Sequence, residues 1–155
     1  MKITKRWIII LLPLISGILC AAWIGITLWK QNHFSCDSQL SMVGSEGKEE
    51  VILHFRFDGN KGLIETRGKY TPNNGDTFPT SNKISFSFWR EGNVMVMVSD
   101  ESNQLPKVSP SLFRHIPDFF STRERGIRLQ LIRKNAGGYL FLFEDTPALY
   151  CTITR

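Results

Sequence analysis

From Trp7 to Trp29 the chain reads WIIILLPLISGILCAAWIGITLW, twenty-three residues without a charged side chain. As a helix rising roughly 1.5 Å per residue, this stretch covers about 35 Å, enough to cross the hydrocarbon core of a bilayer. A membrane-spanning helix is therefore expected over residues 7–29. Trp7, Trp23 and Trp29 lie at or near its ends, where an indole can place its N–H among headgroups and its ring in the apolar layer. Pro13 is a candidate kink. Lys2, Lys5 and Arg6 precede the run, only Lys30 follows closely, and the first 30 residues contain no acid. The positive-inside bias then leaves residues 1–6 as a cytoplasmic tail and sends the rest of the chain across the membrane.

A cleaved signal peptide is the competing reading, with Cys20 and Ala22 at a plausible cleavage spacing. Cleavage after Ala22 would leave the greasy WIGITLW at the mature terminus, and the apolar stretch before it exceeds the usual h-region, so an uncleaved signal-anchor is expected. A lipid attachment at Cys20 fits poorly, because bulky Leu19 precedes it where small residues belong. With six residues assigned to the cytoplasm, no kinase, nucleotide site or DNA-binding domain is expected on that side.

The formal charge of +5 follows from this arrangement. Four of the 19 basic residues fall in the first 30 positions, leaving 15 against 14 acids beyond them. A nucleic-acid binder would spread its Lys and Arg over a folded face, so direct nucleic-acid binding is not expected. Arg123, Arg125, Arg128, Arg133 and Lys134 form the one basic run, read as a solvated strand face or, alternatively, as a headgroup or acidic-partner contact.

With Cys20 in the bilayer segment, Cys36 and Cys151 remain, an even number in an exported domain where disulfides persist. A single bridge between them is expected. It would close a loop of more than 110 residues, which the chain-entropy treatment values at roughly 4 to 5 kcal/mol. A metal site would need further ligands, and His33, His54 and His115 are scattered without a ligating spacing.

Beyond the anchor, polarity alternates with period two between turn residues, the pattern of strands with one buried face. Seven or eight strands are expected. Phe34–Val43 places Phe34, Cys36, Leu40 and Met42 on one face. Glu50–Phe57 turns Val51, Leu53, Phe55 and Phe57 inward, with His54 and Arg56 outward. Residues 58–62 form a hairpin turn, and Leu63–Tyr70 returns from it. A polar loop, TPNNGDTFPTSN, leads to Lys83–Arg90 with Ile84, Phe86 and Phe88 alternating. Glu91–Asn93 turns into Val94–Ser99, apolar on both faces. Ser109 and Pro110 open a short helix carrying Leu112, Phe113 and Ile116, which Pro117 limits. Arg125–Arg133, Tyr139–Phe143 and Leu149–Thr154 complete the strands. Antiparallel strands with the first and last tied together describe a small closed barrel, with a two-sheet sandwich as the alternative.

No catalytic constellation emerges, and neither an enzyme nor a cofactor is expected. No Ser or Cys occupies a nucleophile elbow, the 58–62 run lacks the remaining residues of a calcium loop or a P-loop, and adjacent Glu144 and Asp145 point apart. The aromatic stock is more informative. Phe55, Phe57, Phe86, Phe88, Phe141 and Phe143, with Met95 and Met97, either fill a core or line a pocket for a small apolar or amphipathic molecule.

The basic n-region and anchor, HFSCDSQL at 33–40, FRFDGNKGLIETRGKY at 55–70, ISFSFWR at 84–90 and LYCTITR at 149–155 resemble the FidL-like family of enterobacterial bitopic inner-membrane proteins. The resemblance implies a single-pass inner-membrane protein with a periplasmic, lipocalin-like domain over residues 33–155. It also implies a role like that of ToxS- and VtrC-type partners. The periplasmic domain would bind, stabilise or modulate that of a ToxR-like bitopic regulator, with a small apolar ligand as the candidate input. A membrane-anchored carrier of small apolar molecules and a structural accessory of an envelope or secretion assembly are the alternatives.

Overall fold

The computed structural model describes residues 2–105, 117–135 and 137–154. Two compact units divide the chain after His33. The first is one helix, α1 (Lys2–Asn32), longer at both ends than the apolar run because the flanking Lys, Arg, Gln and Asn residues are themselves compatible with helix. Pro13 lies inside it without ending it. Ser16 Oγ and Thr27 Oγ1 donate to the carbonyls of Pro13 and Trp23, so these hydroxyls are satisfied within the helix. Among the described residues α1 holds the one stretch, Leu11–Asn32, long and apolar enough to span a membrane, and no residue of its most apolar window is buried.

The second unit is a closed antiparallel barrel with its strands in sequence order: β1 (His33–Gly44), β2 (Gly47–Asp58), β3 (Lys61–Pro72), β4 (Phe78–Glu91), β5 (Val94–Leu105), β6 (Gly126–Asn135), β7 (Gly138–Phe143) and β8 (Thr146–Ile153). The sandwich alternative is thereby excluded. Alternation sets the inward face as expected: Val51, Leu53, Phe55 and Phe57 on β2, and Ile84, Phe86 and Phe88 on β4, are buried. Two-residue turns at 59–60 and 92–93 begin with glycines at φ 68° and 64°, the left-handed region that tight hairpins require. The turn at 144–145 uses Glu144 and Asp145 at φ 47° and 65° instead.

Several strand boundaries differ from the sequence reading: β2 starts at Gly47 and β5 runs on to Leu105. The polar loop shrinks to residues 73–77, because β4 begins at Phe78 and pairs it with Tyr70. Its Thr, Ser and Asn residues sit in a strand whose ladder partners outweigh their weak propensity. The last strand begins at Thr146, where Pro147 is tolerated beside a bulge in the β7–β8 register. The helix expected from Ser109 to Ile116 lies outside the described residues, and Pro117 is followed by a 3₁₀ turn over Asp118–Phe120.

Among the described residues, β1 and β8 share the register pairs Cys36↔Ile153 and Asp37↔Thr152, extended by Thr154 N–H donating to Ser35 O at 3.0 Å. The Cys36–Cys151 disulfide crosses this seam with its Cα atoms 5.4 Å apart.

Candidate functional site

The two halves of the barrel interior are filled differently. Toward the start of β1 and the end of β4 the interior is solid. Phe34 stacks on Phe57 at 4.5 Å and leans on Tyr139 at 4.6 Å. Phe57 meets Phe86 and Phe88 edge to face at 5.7 and 5.3 Å, an arrangement that suits ring quadrupoles. Phe55, Phe57, Phe86, Phe88, Met95 and Met97 all belong to this packed core. Gly62 makes it possible, since a Cβ there would stand 2.1 Å from the Phe86 ring.

Toward the other end lies a cavity of about 250 Å³. Its wall comes from Leu40 and Met42 on β1, Val51 and Leu53 on β2, Ile127 and Leu129 on β6, Phe141 and Phe143 on β7, and Ala148 and Leu149 on β8, with Pro117 and Phe120 from the segment after β5. Thr66 and Asn82, paired in register across β3 and β4, are its polar members. The volume is just below the ~300–1,000 Å³ typical of drug-sized sites, which suits a small apolar molecule. Of the eight apolar residues singled out from sequence, seven belong to the buried core, Phe141 among them with its ring 5.2 Å from that of Phe55; Phe141 also borders the cavity, and Phe143, 38% exposed, borders it without being buried.

The wall residues missed in that choice alternate inward on β1, β2 and β6 as strand periodicity demands. Nothing in the sequence separates a residue facing a void from one facing a neighbour.

One side of the cavity is closed by residues 117–125. Phe119 is buried against Phe86 at 5.9 Å, and Phe120 turns its ring toward the cavity. Asn82 Nδ2 donates to Phe120 O at 2.8 Å. Ser99 Oγ donates to Thr122 O at 2.6 Å and accepts from Arg125 N at 3.1 Å. Outside the barrel, a hollow of about 530 Å³ between Gln39–Ser41 of β1 and residues 50–52 and 67–69 of β2 and β3 shares Leu40 and Val51 with the cavity wall.

The polar residues considered for chemistry are dispersed. His33 Nδ1 lies 2.8 Å from Trp29 O. His54 pairs with Asp37 across β1 and β2, half exposed, and His115 is outside the described residues. Glu144 and Asp145 form an exposed turn, where Asp145 Oδ1 accepts from Gln130 Nε2 at 2.8 Å. The basic run is exposed throughout, with Arg128 Nη2 3.0 Å from Glu91 Oε2. The buried carboxyl of Glu49 was not anticipated. Burial pushes its pKa above the usual carboxylate range, and the nearby Thr80 hydroxyl opposes that shift in part. No protein-family model and no curated protein matches the chain.

Proposed function

We propose that the chain is a single-pass protein of a bacterial inner membrane, whose periplasmic barrel holds a small apolar ligand and serves as the accessory partner of a ToxR-type membrane regulator. The apolar cavity carries this reading. A barrel built only for stability gains nothing from an unfilled apolar recess at one end, because unfilled space forfeits dispersion contacts. The apolar helix supports a membrane anchor, and the disulfide supports an oxidising compartment for the barrel. The regulator comes from the sequence resemblance, and such a regulator would supply the cytoplasmic output. The cavity equally suits a carrier that works alone, so the experiment must separate the two.

Crosslinking in living cells, followed by pull-down of the full-length protein, should recover one bitopic DNA-binding regulator attached through its periplasmic domain. Recovery of a large envelope assembly, or of the protein alone with a bound apolar molecule, would overturn the regulator reading in favour of a structural accessory or a carrier. A reporter fused after Arg155 should be active only outside the cytoplasm.

A further inference from the structure

Two inward positions break the apolar lining of the barrel. Glu49 and Thr80 are 1% and 6% exposed, and among the described residues neither the Glu49 carboxylate oxygens nor the Thr80 hydroxyl meets a partner at full hydrogen-bond geometry beyond the approach of these two groups to each other. Buried polar atoms are almost always paired, and a buried carboxyl without partners is among the costlier exceptions.

Strand register sets the pair beside the cavity. Glu49 is the next inward residue after Val51 on β2, Thr80 is the next after Asn82 on β4, and Val51 and Asn82 both line the cavity. Between them β3 presents Gly68, opposite Val51 on one side and Thr80 on the other. A Cβ at Gly68 would stand 2.2 Å from Glu50 O and 2.6 Å from Val51 Cγ1, so no side chain can intervene there. The nearby lysines are engaged elsewhere: Lys48 and Lys69 both pair with Glu50 on the outer face.

Resting on the ligand-holding reading above, we propose that Glu49, assisted by Thr80, anchors the polar head of the ligand, and that this ligand is a small amphiphile with an aliphatic body and an amine head. The two carboxylate oxygens, with the Thr80 hydroxyl beside them, offer acceptors that meet no cationic side chain among the described residues. An ammonium group supplies three N–H donors and the compensating charge, giving the charge-assisted bonds that a buried carboxylate needs. A fatty-acid head would bring a second negative charge to the site, and an alcohol would satisfy one acceptor. The alkyl body would extend past Val51 and Asn82 into the apolar wall.

The test is equilibrium dialysis of octylamine, octanol and octanoate at neutral pH against the full-length protein in phosphatidylcholine nanodiscs, with empty nanodiscs as the blank. Octylamine should bind saturably, one per chain and at least tenfold more tightly than octanol, with octanoate weakest. Glu49→Gln, an isosteric change that removes the buried charge, should abolish the tenfold preference while retaining octanol binding, and Thr80→Val should reduce the preference. Equal affinity for the three probes, or an amine preference that survives Glu49→Gln, overturns the anchor and leaves the cavity reading standing. Saturable binding by none of them overturns the cavity reading and the anchor together.

Discussion

Glu49 and Gly62 show how single residues carry constraints that their neighbours in sequence do not reveal. Glu49 precedes Glu50 in a polar stretch, yet Glu49 is buried while Glu50 is held between Lys48 and Lys69 on the outer face. Their pKa directions are opposite: desolvation raises that of Glu49, and hydrogen bonds from the two lysines lower that of Glu50. The folded state therefore binds the Glu49 proton more tightly than the unfolded chain does. Its contribution to stability is full below the ordinary carboxylate pKa and is lost as pH rises through the raised value. Glu49→Gln should accordingly raise the melting temperature at pH 7 and leave it nearly unchanged at pH 4, as read from thermal unfolding across pH. Equal shifts at both pH values would count against the burial of this carboxyl. Gly62 reads in sequence as a turn residue, but its more exacting role is to receive the Phe86 ring from the next strand. Gly62→Ala should cost about 1–3 kcal/mol in a denaturant titration, the usual penalty for overpacking a filled core.

At the scale of elements, the apolar patterning located the strands, Val94–Ser99 as a run apolar on both faces and not by alternation, and glycines marked the turns at 59–60 and 92–93 but not the one at 144–145. What escaped was length. β4 extends into a polar stretch because β3 and β5 offer backbone partners along it, information that local propensity does not contain. Among the described residues, the segment 117–125 is tied to the barrel by the buried Phe119 ring, by Asn82 and by several bonds to Ser99. Ser99→Ala removes one donor and one acceptor in a buried place and should cost about 1–2 kcal/mol. Hydrogen exchange would localise the effect: the Arg125 amide should lose protection while the amides of β2 and β3 keep theirs. Uniform loss across the barrel would mean that this segment is integral to the fold, not a separately tethered closure.

For the whole barrel, the decisive contact is the seam between the first and last strands. The two register pairs and one flanking backbone bond among the described residues are a short ladder for closing eight strands. The bridge between residues 115 apart therefore does much of the closing. Reduction, or the double change Cys36→Ser with Cys151→Ser, should lower stability by up to about 4–5 kcal/mol, the entropic value of so long a loop. Denaturant midpoints with and without reductant would measure it, and Cys20→Ser, which leaves the bridge intact, should move neither midpoint. A shift of under about 1 kcal/mol would show that strand pairing closes the barrel unaided.

The sequence by itself determined the apolar helix, the β character of the remainder, the inward face of most strands and the pairing of Cys36 with Cys151. Each depends on local periodicity or on counting, and both survive without knowledge of distant neighbours. Tertiary structure alone decided that seven of the eight candidate aromatic and methionine residues pack into the core, that Phe141 among them also borders the cavity, and that Phe143 lies half exposed at its wall. It also decided that Glu49 is buried, with no cationic partner among the described residues. Alternation specifies which way a side chain points; whether it meets another side chain or empty space depends on strands tens of residues away closing around it.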